Sequence, residues 1–190
     1  PAVGLGSFLI STDTPLLLAI ALTLLALAGS VCEKIPPASA MIYAGIAFGV
    51  GMLAKYAAVY GLFGFMLIWA LGRHHSNPII QGRQLLLAIA ACLITVSPNL
   101  IWNLMHDFST VRHLGDNANL AKQTHDIGES LIFLIGQAGV AGPLAFFLML
   151  GIIFASRREK HAGWLVWMAL PVIGLLSLQA YLSEANANWA

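Results

Sequence analysis

Long apolar runs separated by short polar turns leave this chain little choice of fold. Between Pro15 and Val31 there is no charged residue. Runs of similar character cover 38–54, 57–71, 84–102, 139–155 and 163–181, and 1–10 reads as the tail of another. A helix that crosses a bilayer needs about 20 mostly apolar residues. In lipid every backbone N–H and C=O must be paired inside the structure, which leaves helices as the natural solution for runs of this length. The expected fold is all-α: a polytopic transmembrane helix bundle of about five or six helices, with 1–190 part of one transmembrane domain. Composition agrees. The chain is 59% hydrophobic and 9% charged, against about 25% charged in soluble domains, and its mean hydropathy is +0.83. A net charge of +1 suggests no nucleic-acid partner. Membrane lipids are the expected surroundings.

The interruptions organise the chain. Cys32-Glu33-Lys34-Ile35-Pro36-Pro37 is a turn, and Ser156-Arg157-Arg158-Glu159-Lys160 is a basic one. Lys55-Tyr56 divides 38–54 from 57–71; without that break one helix would exceed about 30 residues, too long for an ordinary span. Gly45, Gly49 and Gly51 offer a face where another helix backbone can approach closely. The stretch 103–129 is the only long polar loop. Beyond it, Gly139, Gly142 and Pro143 divide an apolar run, so a short interfacial helix is expected before Gly142 and a span after it. Cys32 and Cys92 match no metal or disulfide spacing and read as inert thiols. No signal-peptide pattern opens the chain. It starts at Pro1 and ends at Ala190 within recognisable runs, and is expected to be an internal segment of a longer protein.

Lys and Arg counts set the orientation. Alternating turns put Lys34, Arg73, Arg83, Arg157, Arg158 and Lys160 on one side, against Lys55, Arg112 and Lys122 on the other. The first side is expected to be cytoplasmic. Most carboxylates, Asp13, Asp107 and Glu184 among them, then gather outside. Acidic residues do not set topology, so that gathering needs another cause.

Candidate residues carry two readings each. Asp13, before Pro15 at the outer end of a span, is either a helix-start signal or a carboxylate at the membrane edge that binds a metal or acts as a base. Lys55 is either a snorkelling lysine or an anchor for an anionic headgroup or phosphate. His106, Asp107 and His113 lie in the polar loop without a HExxH or similar spacing, so spacing gives little support to a zinc site. Glu184, Asn188 and Trp189 read as a polar tail with an interfacial aromatic.

Four segments taken in order carry a resemblance. They are Ser11-Thr12-Asp13-Thr14-Pro15-Leu16-Leu17, Gly45 to Lys55-Tyr56, Pro98 to Trp102-Asn103 and His106-Asp107-Phe108, and Glu184 to Asn188-Trp189-Ala190. The set resembles the bacterial family 39 glycosyltransferases, relatives of protein O-mannosyltransferases and of the aminoarabinose transferase that modifies lipid A. The resemblance implies a GT-C fold in the bacterial inner membrane and a polyprenyl-phosphate-linked sugar donor. The sugar would pass, with inversion, to an acceptor hydroxyl of a lipid, glycan or protein on the outer (periplasmic) face. It implies that Asp13 is an acidic catalytic residue, that Lys55 with Tyr56 holds the donor phosphate, and that Trp102, Asn103, His106, Asp107, Glu184, Asn188 and Trp189 line the cavity. His113 falls near a loop histidine associated with a metal in some relatives, so a divalent ion is a candidate cofactor. The family's main catalytic carboxylate would lie before Pro1, so Asp13 is not the sole general base. The competing class is a multi-pass transporter or flippase for a lipid-linked or small anionic substrate. Transporters also use broken apolar helices, but they place ionisable groups near mid-membrane and often show repeated halves, and no repeat is visible here.

Overall fold

The computed structural model describes residues 12–72, 80, 82–110, 125–156 and 163–183. Every regular element among them is helical. Helix α1 spans Asp13–Val31, α2 Pro37–Ala54, α3 Tyr60–Gly72, α4 Gly82–Met105, α5 Ile127–Ala141, α6 Pro143–Ser156 and α7 Gly163–Ser183, and a 3-10 turn, Tyr56–Val59, precedes α3. Among the described residues, α1, α2, α4 and α7 are each long and apolar enough to cross a membrane. The chain is an integral membrane protein.

Local chemistry explains the helix ends. Pro15 sits in the first turn of α1, where an amide N–H has no intrahelical acceptor to lose. At the other end of α1, Lys34 N–H and Ile35 N–H both donate to Gly29 O, at 2.8 and 3.1 Å, with Glu33 in the left-handed region at φ 59°. Pro37 is a first-turn proline of α2. Inside α4, Pro98 has no N–H for Ile94 O; the Ser97 hydroxyl donates there instead, at 2.7 Å. The helix therefore continues past its proline.

Helix α2 is the centre of the packing. It lies against α1 on one side and α4 on the other, while α7 packs on α3 and α5. The close approach of α2 and α4 depends on glycine. A Cβ on Gly45 would stand 2.3 Å from Ala88 O, and one on Gly49 would stand 2.8 Å from the Thr95 side chain. These pairings, 45 with 88 and 49 with 95, advance together, so α2 and α4 run in parallel. The core joins both groups of helices through Leu27, Met41, Phe48, Phe65, Ile68 and Trp164. Phe48 and Phe65 meet edge to face at 5.5 Å. Outward, leucines and isoleucines such as Leu86, Ile94 and Leu104 are exposed on α4, as a lipid-facing helix requires.

The division expected at Gly142-Pro143 is present, while two boundaries near the polar loop differ from the sequence expectation. The apolar run breaks at Gly142 (φ 90°) before Pro143. That φ suits glycine, the proline has no N–H with which to continue α5, and the two helices meet at 106°. Helix α4 runs on from Trp102 through Asn103 to Met105, and α5 begins at Ile127. The expected loop 103–129 therefore yields residues to helices at both of its ends.

Candidate functional site

The candidate polar side chains gather at one end of the bundle because of helix direction. Helix α1 begins there; α2 and the parallel α4 end there. Helix α7 also ends there: Tyr60, just beyond the end of α2, donates from its hydroxyl to Gln179 Oε1 at 2.6 Å, and Asp126 N–H donates to Tyr181 O at 3.1 Å. Asp13, Lys55, Tyr56, Asn103 and His106 thus come to the same end from separate parts of the chain.

Lys55 is where the backbone leaves α2. Its φ of −155° and ψ of 124° are extended, and the 3-10 turn begins with the next residue. Lys55 Nζ reaches Asp13 Oδ1 at 2.7 Å, with side chains 25% and 53% exposed. Asp13 stands in the first turn of α1, where the helix dipole favours a negative charge, and Lys55 follows the C-terminus of α2, where it favours a positive one. A pair this open to solvent contributes only about 0.2–1 kcal/mol, so another anion can displace Asp13 from Lys55 at small cost. The capping reading of this segment fails in one respect: the N-cap is Thr12, in a helical conformation and without a side-chain capping bond.

Behind Lys55 the polar contacts form a ladder. Tyr56 Oη donates to Asn99 Oδ1 at 2.7 Å. Asn103 Nδ2 donates to Asn99 O at 3.0 Å and to Asn99 Oδ1 at 3.1 Å. Asn103 is 4% exposed, and its Oδ1 accepts Thr110 N–H at 3.2 Å. Phe108 N–H donates to Asn103 O at 2.8 Å. Asp107 and Phe108 have successive positive φ angles of 52° and 54°, a conformation that costs about 1–3 kcal/mol per non-glycine residue and persists where surrounding bonds enforce it. Trp102 stacks on His106 with ring centroids 4.3 Å apart, and His106 Nδ1 lies 2.8 Å from Trp102 O.

An apolar cavity of about 570 Å³ opens within a turn of the ion pair. Its lining includes Leu16, Phe48, Ala57, Tyr60, Met168 and Leu176. Leu16 is one turn after Asp13, and Ala57 is two residues after Lys55.

Asp13, Lys55, Tyr56, Trp102, Asn103, His106 and Asp107 thus lie at one end, and the structure joins Asp13 to Lys55 and Tyr56, through Asn99, to Asn103. His113, Glu184, Asn188 and Trp189 lie outside the described residues. Asn99 carried no role in the sequence reading, although an Asn four residues before another in an apolar helix is a legible signal of a shared hydrogen bond. Gln179 was likewise overlooked. Among the described residues no three His, Cys, Asp or Glu side chains form a metal-binding group. Asp13 faces the Lys55 ammonium group, and His113, the residue named for the expected divalent ion, lies outside the described residues.

The comparisons with known proteins agree with this picture of a membrane helix bundle. Residues 1–102 match the dolichyl-phosphate-mannose-protein mannosyltransferase family. The chain belongs to that family, whose members are membrane glycosyltransferases of the GT-C type. Over its whole length it is similar to the lipid A galacturonosyltransferase RgtD of Rhizobium johnstonii, at 35% identity over 197 aligned residues. The chain spans 40% of that relative's length. No solved structure matches it.

Proposed function

We propose that the full-length protein is an inverting glycosyltransferase of the bacterial inner membrane, taking its sugar from a polyprenyl-phosphate donor at the outer face. The carrying observation is the 2.7 Å contact of Lys55 with Asp13 close to an apolar cavity whose lining includes Leu16 and Ala57. A lipid-linked sugar has three parts, and each finds a counterpart here. The isoprenoid chain suits the cavity, where each buried methylene contributes about 0.8 kcal/mol. The phosphate suits the Lys55 ammonium group. The sugar and the acceptor lie outward of these, toward the Asp13 carboxylate, the Trp102–Met105 end of α4 and the turn that follows it.

In the reaction an acceptor hydroxyl attacks the anomeric carbon, a carboxylate takes its proton, and the phosphate leaves with the electron pair of the glycosidic bond. Lys55 stabilises the charge that grows on that phosphate. To do so it gives up Asp13, so donor binding releases a carboxylate beside the reacting centre. The main base lies outside residues 1–190, and Asp13 assists it. A lipid acceptor is favoured over a protein because the relative similar to the whole chain is a lipid A galacturonosyltransferase.

Lys55→Ala in the full-length enzyme tests this reading. The donor KM should rise or turnover disappear; unchanged kinetics with a polyprenyl-phosphate sugar would reject the phosphate role. The orientation has its own test. In a protein whose Cys32 and Cys92 are replaced by serine, Asn119→Cys should react with an impermeant thiol reagent in intact spheroplasts. Reaction only after lysis would reverse the topology.

A further inference from the structure

We propose that Tyr56, Asn99 and Asn103 are positioning residues for the phosphate grip, acting through the backbone on Lys55 rather than by touching the donor. The inference rests on the phosphate role of Lys55 proposed above. Three observations carry it.

The first is where the chain loses its helix. Lys55 is extended, and its N–H still donates to Gly51 O at 2.9 Å, so α2 holds it from behind. In front of it, the next side chain to be tied down is Tyr56, whose hydroxyl is committed to Asn99 Oδ1 at 2.7 Å. That bond crosses from the break to a neighbouring helix and fixes the side of α4 against which the segment after Lys55 lies. A lysine stem has four rotatable bonds, so its ammonium stays near one point only if its backbone is held.

The second is that the acceptor is itself held. An Asn side chain in an apolar helix would rotate among several arrangements unless its partners select one. Asn103 Nδ2 contacts both Asn99 O and Asn99 Oδ1, at 3.0 and 3.1 Å. Asn103 is buried, and its own Oδ1 accepts Thr110 N–H. Its amide therefore has both ends in use. Buried polar groups in a low-dielectric region are costly when half satisfied, and a fully bonded set is correspondingly rigid.

The third is the far end of the ladder. Asn103 also ties down Phe108 through its carbonyl, in the left-handed pair Asp107–Phe108. The scaffold that orients Lys55 is thus the same one that shapes the start of the polar segment beyond α4. Packing alone would not require this. The small-residue crossing of α2 and α4 lies lower down, at Gly45 and Gly49, and holds the helices together without any Asn.

The test uses full-length protein in nanodiscs and reads equilibrium binding of a polyprenyl monophosphate, which needs no turnover. Tyr56→Phe, which removes one hydroxyl and leaves the ring, should weaken binding roughly five- to tenfold, as expected for one well-formed hydrogen bond. Asn99→Ala should weaken it at least as much. The acceptor KM should stay the same. In a Lys55→Ala background, Tyr56→Phe should have no further effect, because the residue through which it acts is gone. Equal losses in both backgrounds would overturn the positioning role while leaving the phosphate role of Lys55 intact. So would wild-type binding by Tyr56→Phe alongside a clear loss in Lys55→Ala. Normal binding by Lys55→Ala itself would remove both proposals together.

Discussion

Among the described residues two apolar runs are broken, and they are broken in different ways. At Gly142 the backbone turns through 106° by conformation alone: a glycine at φ 90° followed by a proline. At Lys55 no glycine or proline is present. The break consists of one extended residue and a 3-10 turn, and it carries a charge, an ion pair and a hydrogen bond to the neighbouring helix. A bend made by Gly-Pro needs no polar partner. A bend made at a lysine in a membrane protein needs several, because a charge facing lipid is costly. The second kind of break marks a site; the first marks only a change of direction.

Substitutions can test that contrast. The largest effect is expected from Lys55→Ala: a loss on the order of 10²-fold in kcat/KM, the scale seen when one group stabilising developing charge is removed, with little change in thermal unfolding. A normal melting temperature with lost activity keeps the break functional; lost folding would make it structural. Gly45→Ala comes next. Its methyl would meet Ala88 O at 2.3 Å, and the forced separation of α2 and α4 should cost about 1–3 kcal/mol. Because Tyr56 follows the end of α2 and Asn99 lies on α4, donor KM should rise as well as the melting temperature fall. Gly142→Ala should cost about 1–3 kcal/mol, the penalty for a Cβ in a backbone conformation (φ 90°, ψ 132°) that glycine alone adopts freely. Here only thermal stability should move; a raised donor KM would break the comparison. The smallest effect belongs to Asp13→Asn. Removing the charge that competes for Lys55 should tighten polyprenyl phosphate binding about two- to fivefold, the range given by an exposed ion pair, while turnover falls. Weaker binding would show that Asp13 supports the phosphate rather than competing with it.

The legible part of this molecule followed from hydrophobic length. Apolar runs bounded by Pro36-Pro37, Lys55-Tyr56 and Gly142-Pro143 are local facts, and so is the helical fold, since lipid leaves a run of that length little alternative. Lys55 was visible for the same reason, as a charge where a run had no need of one. Boundaries near Asn103 were not visible. A buried Asn and an exposed one look alike in sequence, and only the Asn99 and Thr110 partners make Asn103 a helical cap rather than a loop residue.

Pairing belonged to the third dimension. Asp13 and Lys55 are 42 residues apart and Tyr56 and Asn99 are 43 apart, distances over which spacing carries no information. Their meeting depends on α1 and α2 forming an antiparallel pair and on glycines that let α2 and α4 approach. Composition and period thus decide that these helices exist and lie in a membrane, because the hydrophobic effect acts on each segment separately. Which polar groups share one end, and which charge finds which partner, depends on helix packing, because short-range contacts require the whole bundle to be in place.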